Sequence, residues 1–195
     1  MMNKNKSQDG AILCNLLPSC IKLGLIGNIT IDKILKIYYN GDLENRLLQY
    51  TEGNKLKTSS QNYIEITDED FFEKYSQSIV KQKEISRLLP YNNILEYDNL
   101  RVASMKPNCI LPEHIDDTKT YRFIIMLKGR HIFRSEGTSV EMKARDVWFI
   151  NPAKRHAIEN SFLEERVALL GSFEISNNTT EYLLRKAQKM EKYYG

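Results

Sequence analysis

The feature that most limits the fold is a run of short apolar segments in the second half of the chain. Six segments are rich in Val, Ile, Leu, Phe, Tyr and Trp, namely 99–105, 121–128, 131–135, 139–142, 147–150 and 166–175. Turn sequences separate them, namely Lys106-Pro107-Asn108, Lys128-Gly129, Glu136-Gly137 and Asn151-Pro152. Strands this short and closely spaced favour a β-sandwich or a small barrel over alternating strand–helix units. The sequence therefore predicts a mainly β fold.

Two histidines and one aspartate in this region have the spacing of a metal site. His114 and Asp116 are two residues apart, so on an extended segment both side chains leave the same face of a sheet. His156 follows Asp116 after 40 residues and must come from another strand. Two imidazoles and one carboxylate can occupy one face of an Fe(II) octahedron and leave three positions open.

The opposing interpretation is a chance match, because an isolated His-x-Asp pattern occurs in many proteins. The chain has only three histidines, however, and two of them fall in this pattern. The third, His131, has no acidic or histidine neighbour at ligand spacing. We therefore expect His131 to be a surface or packing residue.

Two arginines, Arg122 and Arg166, lie at the start of apolar segments. An unpaired charge buried in such a strand is costly, so each arginine needs an anionic partner. A guanidinium binds a carboxylate through two parallel charge-assisted hydrogen bonds and stays charged when desolvated. The alternative is a surface ion pair, which contributes little to stability.

Together these residues resemble those of the Fe(II)- and 2-oxoglutarate-dependent oxygenases. The likeness lies in residues 108–116 (Asn-Cys-Ile-Leu-Pro-Glu-His-Ile-Asp), in 121–123 (Tyr-Arg-Phe), and in 146–151 (Asp-Val-Trp-Phe-Ile-Asn) leading to His156 and Arg166. Within that class the chain looks most like the aspartyl/asparaginyl β-hydroxylase group, which includes the bacterial L-proline cis-hydroxylases. The match covers residues 99–175, and a weaker likeness extends to 21–26 and the helix after it.

The resemblance implies a double-stranded β-helix (jelly-roll, cupin-like) core. It implies that His114, Asp116 and His156 are the iron ligands and catalytic residues. Arg166 matches the arginine that pairs with the far carboxylate of 2-oxoglutarate. Arg122 matches a second arginine that helps to hold the cosubstrate or an anionic substrate. The chain departs from the group at two positions. Ile124 stands where the group commonly has a histidine. Arg145-Asp146 stands where the group often has a glycine before the strand that leads to the second histidine.

The domain prediction is a single oxygenase domain over residues 1–195. Residues 1–19 are expected to form a flexible extension, 20–98 a strand plus helical support, 99–175 the jelly-roll core and 176–195 a C-terminal helix. Apolar residues at i, i+3, i+4 and i+7 predict one supporting helix, namely Ile31, Ile34, Leu35 and Tyr38. A second helix is expected between Thr67 and Pro90. Asn178 and Glu181 resemble a capping box for the C-terminal helix.

Composition excludes several classes of protein. With 28 basic and 25 acidic residues the net charge is +3, and no basic block indicates a nucleic-acid partner. The three cysteines show no paired spacing, which argues against a disulfide framework or a thiolate zinc site and fits the reducing cytoplasm. The apolar stretch 11–27 is interrupted by Asn15, Pro18 and Lys22, so we expect neither a membrane span nor a leader there. Its second half is expected to form a strand.

The function expected from the sequence is hydroxylation of an amino acid, free or within a peptide, with Fe(II), 2-oxoglutarate and O2. No nucleic-acid or membrane partner is expected, and a homodimer is compatible with the chain. Two rival hypotheses remain open. A cupin-like sensor could bind a metal without turnover. A zinc hydrolase could use the same ligands, although no H-E-x-x-H motif supplies a general base.

Overall fold

The computed structural model describes residues 4–40, 51–52, 55–57, 63–80, 82–90 and 96–194. The helices are α1 Lys4–Asn15, α2 Asn28–Asn40, α3 Phe71–Lys74, α4 Gln82–Ser86 and α5 Asn177–Tyr194. The first strands are β1 Cys20–Leu25, β2 Thr51–Glu52, β3 Lys55–Lys57, β4 Tyr63–Glu65, β5 Tyr75–Ile79 and β6 Asp98–Met105. The remaining strands are β7 Cys109–His114, β8 Thr120–Lys128, β9 Arg130–Ser135, β10 Thr138–Lys143, β11 Asp146–Ile150, β12 His156–Asn160 and β13 Arg166–Glu174.

Two antiparallel sheets face each other and form a jelly roll, as the sequence predicts. One sheet has six strands in the order β1-β11-β8-β13-β6-β5, and the other has four in the order β10-β9-β12-β7. Their inner faces share one apolar core, which includes Met105, Met126 and Trp148 from the first sheet and Leu111 and Phe133 from the second. A small third sheet, β2-β3-β4, adds Leu56 to this core.

A second core lies on the outer face of the six-stranded sheet. Strand residues such as Phe123 and Leu169 pack there with Ile31 and Ile34 of α2 and with Leu183 of α5. The expected strand at the end of the 11–27 stretch is β1, and the expected amphipathic helix is α2, so both predictions are confirmed. Within the described part of the chain, no helix is both long and apolar enough to cross a membrane.

The expected helix between Thr67 and Pro90 is wrong. The chain makes one helical turn, α3, and becomes extended at Tyr75, where φ is −119° and ψ is 129°. Strand β5 then pairs with β6, with Tyr75 opposite Met105 and Ile79 opposite Arg101. Pairing with an existing sheet edge satisfies the backbone groups of this segment and overrides its local helical pattern.

The expected flexible extension over residues 1–19 is corrected from Lys4 onward. Helix α1 occupies Lys4–Asn15, and Cys14 and Leu17 are buried in the outer core. The segment is fixed by the buried side chain of Asn151, whose amide nitrogen donates to the carbonyls of Cys14 (2.8 Å) and Leu17 (3.0 Å).

The C-terminal helix forms as predicted but with a different cap. Ser176 precedes α5, and its hydroxyl accepts a hydrogen bond from the Thr179 N–H at 3.2 Å. The Thr179 hydroxyl accepts in return from the Ser176 N–H at 3.0 Å. This reciprocal pair replaces the expected Asn178–Glu181 box, because Ser176 is the residue that stands immediately before the first helical residue.

Candidate metal centre and its cavity

The three residues with metal-site spacing come together at one end of the four-stranded sheet. His114 is the last residue of β7, His156 is the first of β12, and the two are register partners across that pair of strands. Their ring centroids are 4.4 Å apart. One ligand atom from each histidine and one from Asp116 all lie within 4.8 Å of one another, so the three side chains could share one metal ion.

Backbone carbonyls orient both imidazoles in the same way. His114 Nδ1 lies 2.7 Å from the carbonyl oxygen of Pro112, and His156 Nδ1 lies 2.9 Å from that of Lys154. A carbonyl can only accept, so each Nδ1 carries the hydrogen and each Nε2 presents its lone pair. This outer hydrogen bond is the usual way in which a metal-binding imidazole has its tautomer and orientation fixed.

Asp116 reaches the site from a different position than the sequence predicts. Strand β7 ends at His114, and Asp116 lies in the following segment, where its N–H donates to the carbonyl of Pro152 at 3.1 Å. Its carboxylate oxygen Oδ2 lies 3.7 Å from Arg122 Nε and 3.9 Å from His156 Nε2. The loop therefore places the carboxylate between the arginine and the imidazole.

The electrostatic surroundings keep His156 neutral. Burial lowers the pKa of His156, the nearby His114 lowers it further, and Asp116 opposes both effects. A neutral imidazole is the form that binds a metal, so the pocket favours the metal-binding state near neutral pH.

Arg166 is buried in the inner core at the start of β13, opposite Met105 of β6. Its side chain is 1% exposed. Its Nε donates to Nδ1 of His131 at 3.1 Å, while its Nη2 has no hydrogen-bond partner within the described residues. Burial lowers the pKa of Arg166 to about 10, which still leaves it charged at neutral pH. Arg166 is thus a buried cation with donor capacity to spare.

The metal-site residues and Arg166 line one cavity of about 560 Å³, a volume that includes its open mouth. Apolar side chains form much of the wall, among them Leu111, Ile150, Ile158 and Leu170. The charged lining consists of three arginines and one carboxylate, a formal surplus of two positive charges, namely Arg101, Arg122 and Arg166 with Asp116. Its mixed apolar and polar lining is typical of a small-molecule site, and its positive charge suits anions.

Several lining residues were not predicted from the sequence. Arg101 on β6 and Tyr75 and Gln77 on β5 also face the cavity. Side chains alternate between the two faces of β6, so Arg101 lies on the same face as Ala103 and Met105 of the inner core. This alternation could have predicted that Arg101 points inward. The inward position of Tyr75 and Gln77 was not predicted, because the sequence predicts a helix where they form strand β5. Of the two alternatives for His131, the structure selects packing, because the ring is fully buried.

No protein-family model and no curated protein sequence match this chain. Solved structures resemble it over about half its length. A predicted oxalate decarboxylase from Thermotoga maritima has a TM-score of 0.41 and 20% identity, covering 52% of this chain and 81% of its own. A cupin-superfamily sugar phosphate isomerase from Silicibacter pomeroyi has a TM-score of 0.37 and 11% identity, and the match covers 54% of this chain and 63% of the isomerase. The Schizosaccharomyces pombe Cnp3 cupin domain has a TM-score of 0.37 and 15% identity, covering 47% and 69%.

Proposed function

We propose that this protein is an Fe(II)- and 2-oxoglutarate-dependent hydroxylase of an amino acid, either free or within a peptide. One observation carries the proposal: a two-histidine, one-carboxylate donor set shares a cavity with a buried arginine that has unused donors. The two-histidine, one-carboxylate donor set suits Fe(II), and the buried arginine suits a carboxylate of the ligand. A cosubstrate that must reach both would carry its acid group at the arginine end.

His114, Asp116 and His156 would hold the metal. The donor set fits Fe(II), since imidazole and carboxylate are ligands of non-haem iron and the triad leaves positions open. The two fixed Nδ1 hydrogen bonds support this fit, because they expose the Nε2 lone pairs before any metal arrives. Fe(II), when bound, supplies activation of O2, so that one oxygen atom enters a C–H bond and the other enters succinate as 2-oxoglutarate loses CO2.

Arg166 would bind the far carboxylate of 2-oxoglutarate. Its burial removes competing water, and within the described residues no carboxylate pairs with it. The surplus positive charge of the cavity favours a dianion over a neutral ligand.

Arg122 and the apolar wall would have different tasks. Arg122 Nε lies 3.7 Å from the Asp116 carboxylate, and its Nη1 donates to the Thr120 hydroxyl at 3.1 Å, so the arginine would help to orient that carboxylate. It also lines the cavity, where it can meet an anionic group of cosubstrate or substrate. Leu111, Ile150 and Ile158 restrict water around the reacting C–H bond.

The test is succinate formation by the Fe(II)-loaded protein with 2-oxoglutarate and O2. Free amino acids and short peptides form the substrate panel. We expect at least one compound to accelerate succinate release, because a correctly placed C–H bond completes the site, and its product should gain one oxygen atom by mass spectrometry. Metal and 2-oxoglutarate binding without succinate would favour a cupin-like sensor, whereas hydrolytic activity with Zn(II) would favour a zinc hydrolase.

A further inference from the structure

A buried histidine outside the cavity lining contacts the arginine that would bind the anion. His131 belongs to β9 of the four-stranded sheet, and its ring reaches Arg166 on β13 of the facing sheet. Arg166 Nε donates to His131 Nδ1 at 3.1 Å. A guanidinium only donates, so Nδ1 is the unprotonated nitrogen and the neutral ring carries its hydrogen on Nε2.

The contact with His131 uses the Nε–H of Arg166 and leaves the terminal N–H groups for an anion in the cavity. An arginine has one Nε–H and four terminal N–H groups in a fixed plane. Binding at Nε fixes that plane and leaves the terminal groups available, and Nη2 indeed has no partner among the described residues. Because Arg166 lines the cavity, the available groups belong to a side chain that can meet a ligand there.

The neutrality of the partner matters as much as its position. A carboxylate at the same place would orient the arginine equally well, but it would also cancel its charge. Burial and the adjacent Arg166 both lower the pKa of His131 well below its ordinary value, so the ring stays neutral at neutral pH. The arginine is therefore held in place while its charge remains uncompensated.

We propose that His131 is a positioning residue for anion binding, which aims the Arg166 guanidinium at the cavity without neutralising it. The inference rests on the proposed function in taking the bound anion to be a dicarboxylate. His131 itself does not line the cavity, so it acts through Arg166.

Three substitutions separate positioning from simple packing. His131→Asn places a neutral acceptor, Oδ1, where Nδ1 now lies. His131→Asp places a charged acceptor there, and His131→Leu fills the space without any acceptor. Affinity for 2-oxoglutarate is measured by calorimetry on the Fe(II)-loaded protein without O2. Glutarate is titrated as a second dicarboxylate, and Fe(II) affinity before dicarboxylate addition reports whether the candidate metal triad is intact.

We expect His131→Leu and His131→Asp to weaken dicarboxylate binding on the order of tenfold or more, and His131→Asn to recover most of the affinity. Fe(II) binding should be similar in all three variants. Full dicarboxylate affinity in His131→Leu, or no dicarboxylate binding in the wild type, would overturn the proposal. Tight dicarboxylate binding without succinate production would overturn the hydroxylase function and leave the role of His131 standing.

Discussion

At the scale of single residues, the three candidate metal ligands are held in place by contacts of different range. Each histidine is oriented by a hydrogen bond to a carbonyl two residues earlier in its own segment. Asp116 depends on a longer-range contact, since the Pro152 carbonyl fixes its backbone and Arg122 faces its carboxylate. The Asp116 carboxylate is therefore the candidate ligand whose placement depends most on residues elsewhere in the sequence.

The adjacent acidic residue offers a matched control for the metal site. Asp116→Ala removes one of three ligands and should lower Fe(II) affinity by at least tenfold, whereas Asp117→Ala should leave it unchanged. Asp117 pairs with Lys119 at 3.4 Å and is not part of the donor cluster. Equilibrium metal titration measures both variants. Equal Fe(II) affinities in the two variants would contradict the assignment of Asp116 as a ligand.

Arg166→Lys tests whether the shape of the cation matters as well as its charge. Lysine keeps the positive charge but loses the planar fork and the Nε–H that meets His131. We expect 2-oxoglutarate binding to weaken by about 1.5–3 kcal/mol, the range for hydrogen bonds to charged groups, with Fe(II) binding preserved. Unchanged 2-oxoglutarate affinity by calorimetry would assign Arg166 to a structural role.

At the scale of elements, β9 links the two ends of the site. Its inward-facing residues alternate, so His131 and Phe133 point to the same core. His131 meets Arg166, and Phe133 stacks on His156 with ring centroids 5.4 Å apart. One strand thus packs against both the arginine and a metal-site histidine. A shift in the register of β9 would disturb both together.

A glycine lies in the turn on either side of β9, and the two positions can be compared directly. Gly129 and Gly137 both have positive φ, 67° and 78°. A Cβ on Gly129 would lie 2.5 Å from the carbonyl oxygen of Glu165, whereas one on Gly137 would meet nothing within 4 Å. Gly137→Ala should cost about 1 kcal/mol for the left-handed backbone, and Gly129→Ala about 1–3 kcal/mol more for the clash. Urea denaturation measures the difference, and equal losses would contradict this account.

The strands that the sequence predicts are those with continuous apolar patterns. Strands β6, β8, β9, β10, β11 and β13 fall within a residue or two of their expected bounds. Strands β7 and β12 were not in that set, because Pro112, Glu113, Glu159 and Asn160 dilute their apolar content. Their polar residues nevertheless have structural roles, and the Asn160 side chain donates to the carbonyls of Met105 and Glu164. Such contacts depend on the tertiary structure and leave no local pattern.

At the scale of the whole molecule, the six-stranded sheet separates two kinds of interior. Its outer face packs against helices in an apolar core, and its inner face packs against the second sheet around a charged cavity. The convergence of His114, Asp116 and His156 could be predicted because their types and spacing are unusual. The Arg166–His131 pair could not, since it joins strands of opposite sheets and exists only once the sheets face each other.

The buried, neutral His131 also makes the stability of the whole fold depend on pH. Its pKa in the folded protein lies well below the ordinary value of 6.5, because of burial and the charge of Arg166. As the pH falls below about 6.5 the unfolded chain takes up a proton that the folded protein refuses, so the free energy of unfolding falls. One such group contributes a slope of up to about 1.4 kcal/mol per pH unit. In urea denaturation of the metal-free protein between roughly pH 7.5 and 5.5, stability should fall more steeply for wild type than for His131→Asn, and the difference in slope should approach about one proton only at the acidic end. Parallel curves for the two proteins would show that His131 is protonated to the same extent in the folded and unfolded states.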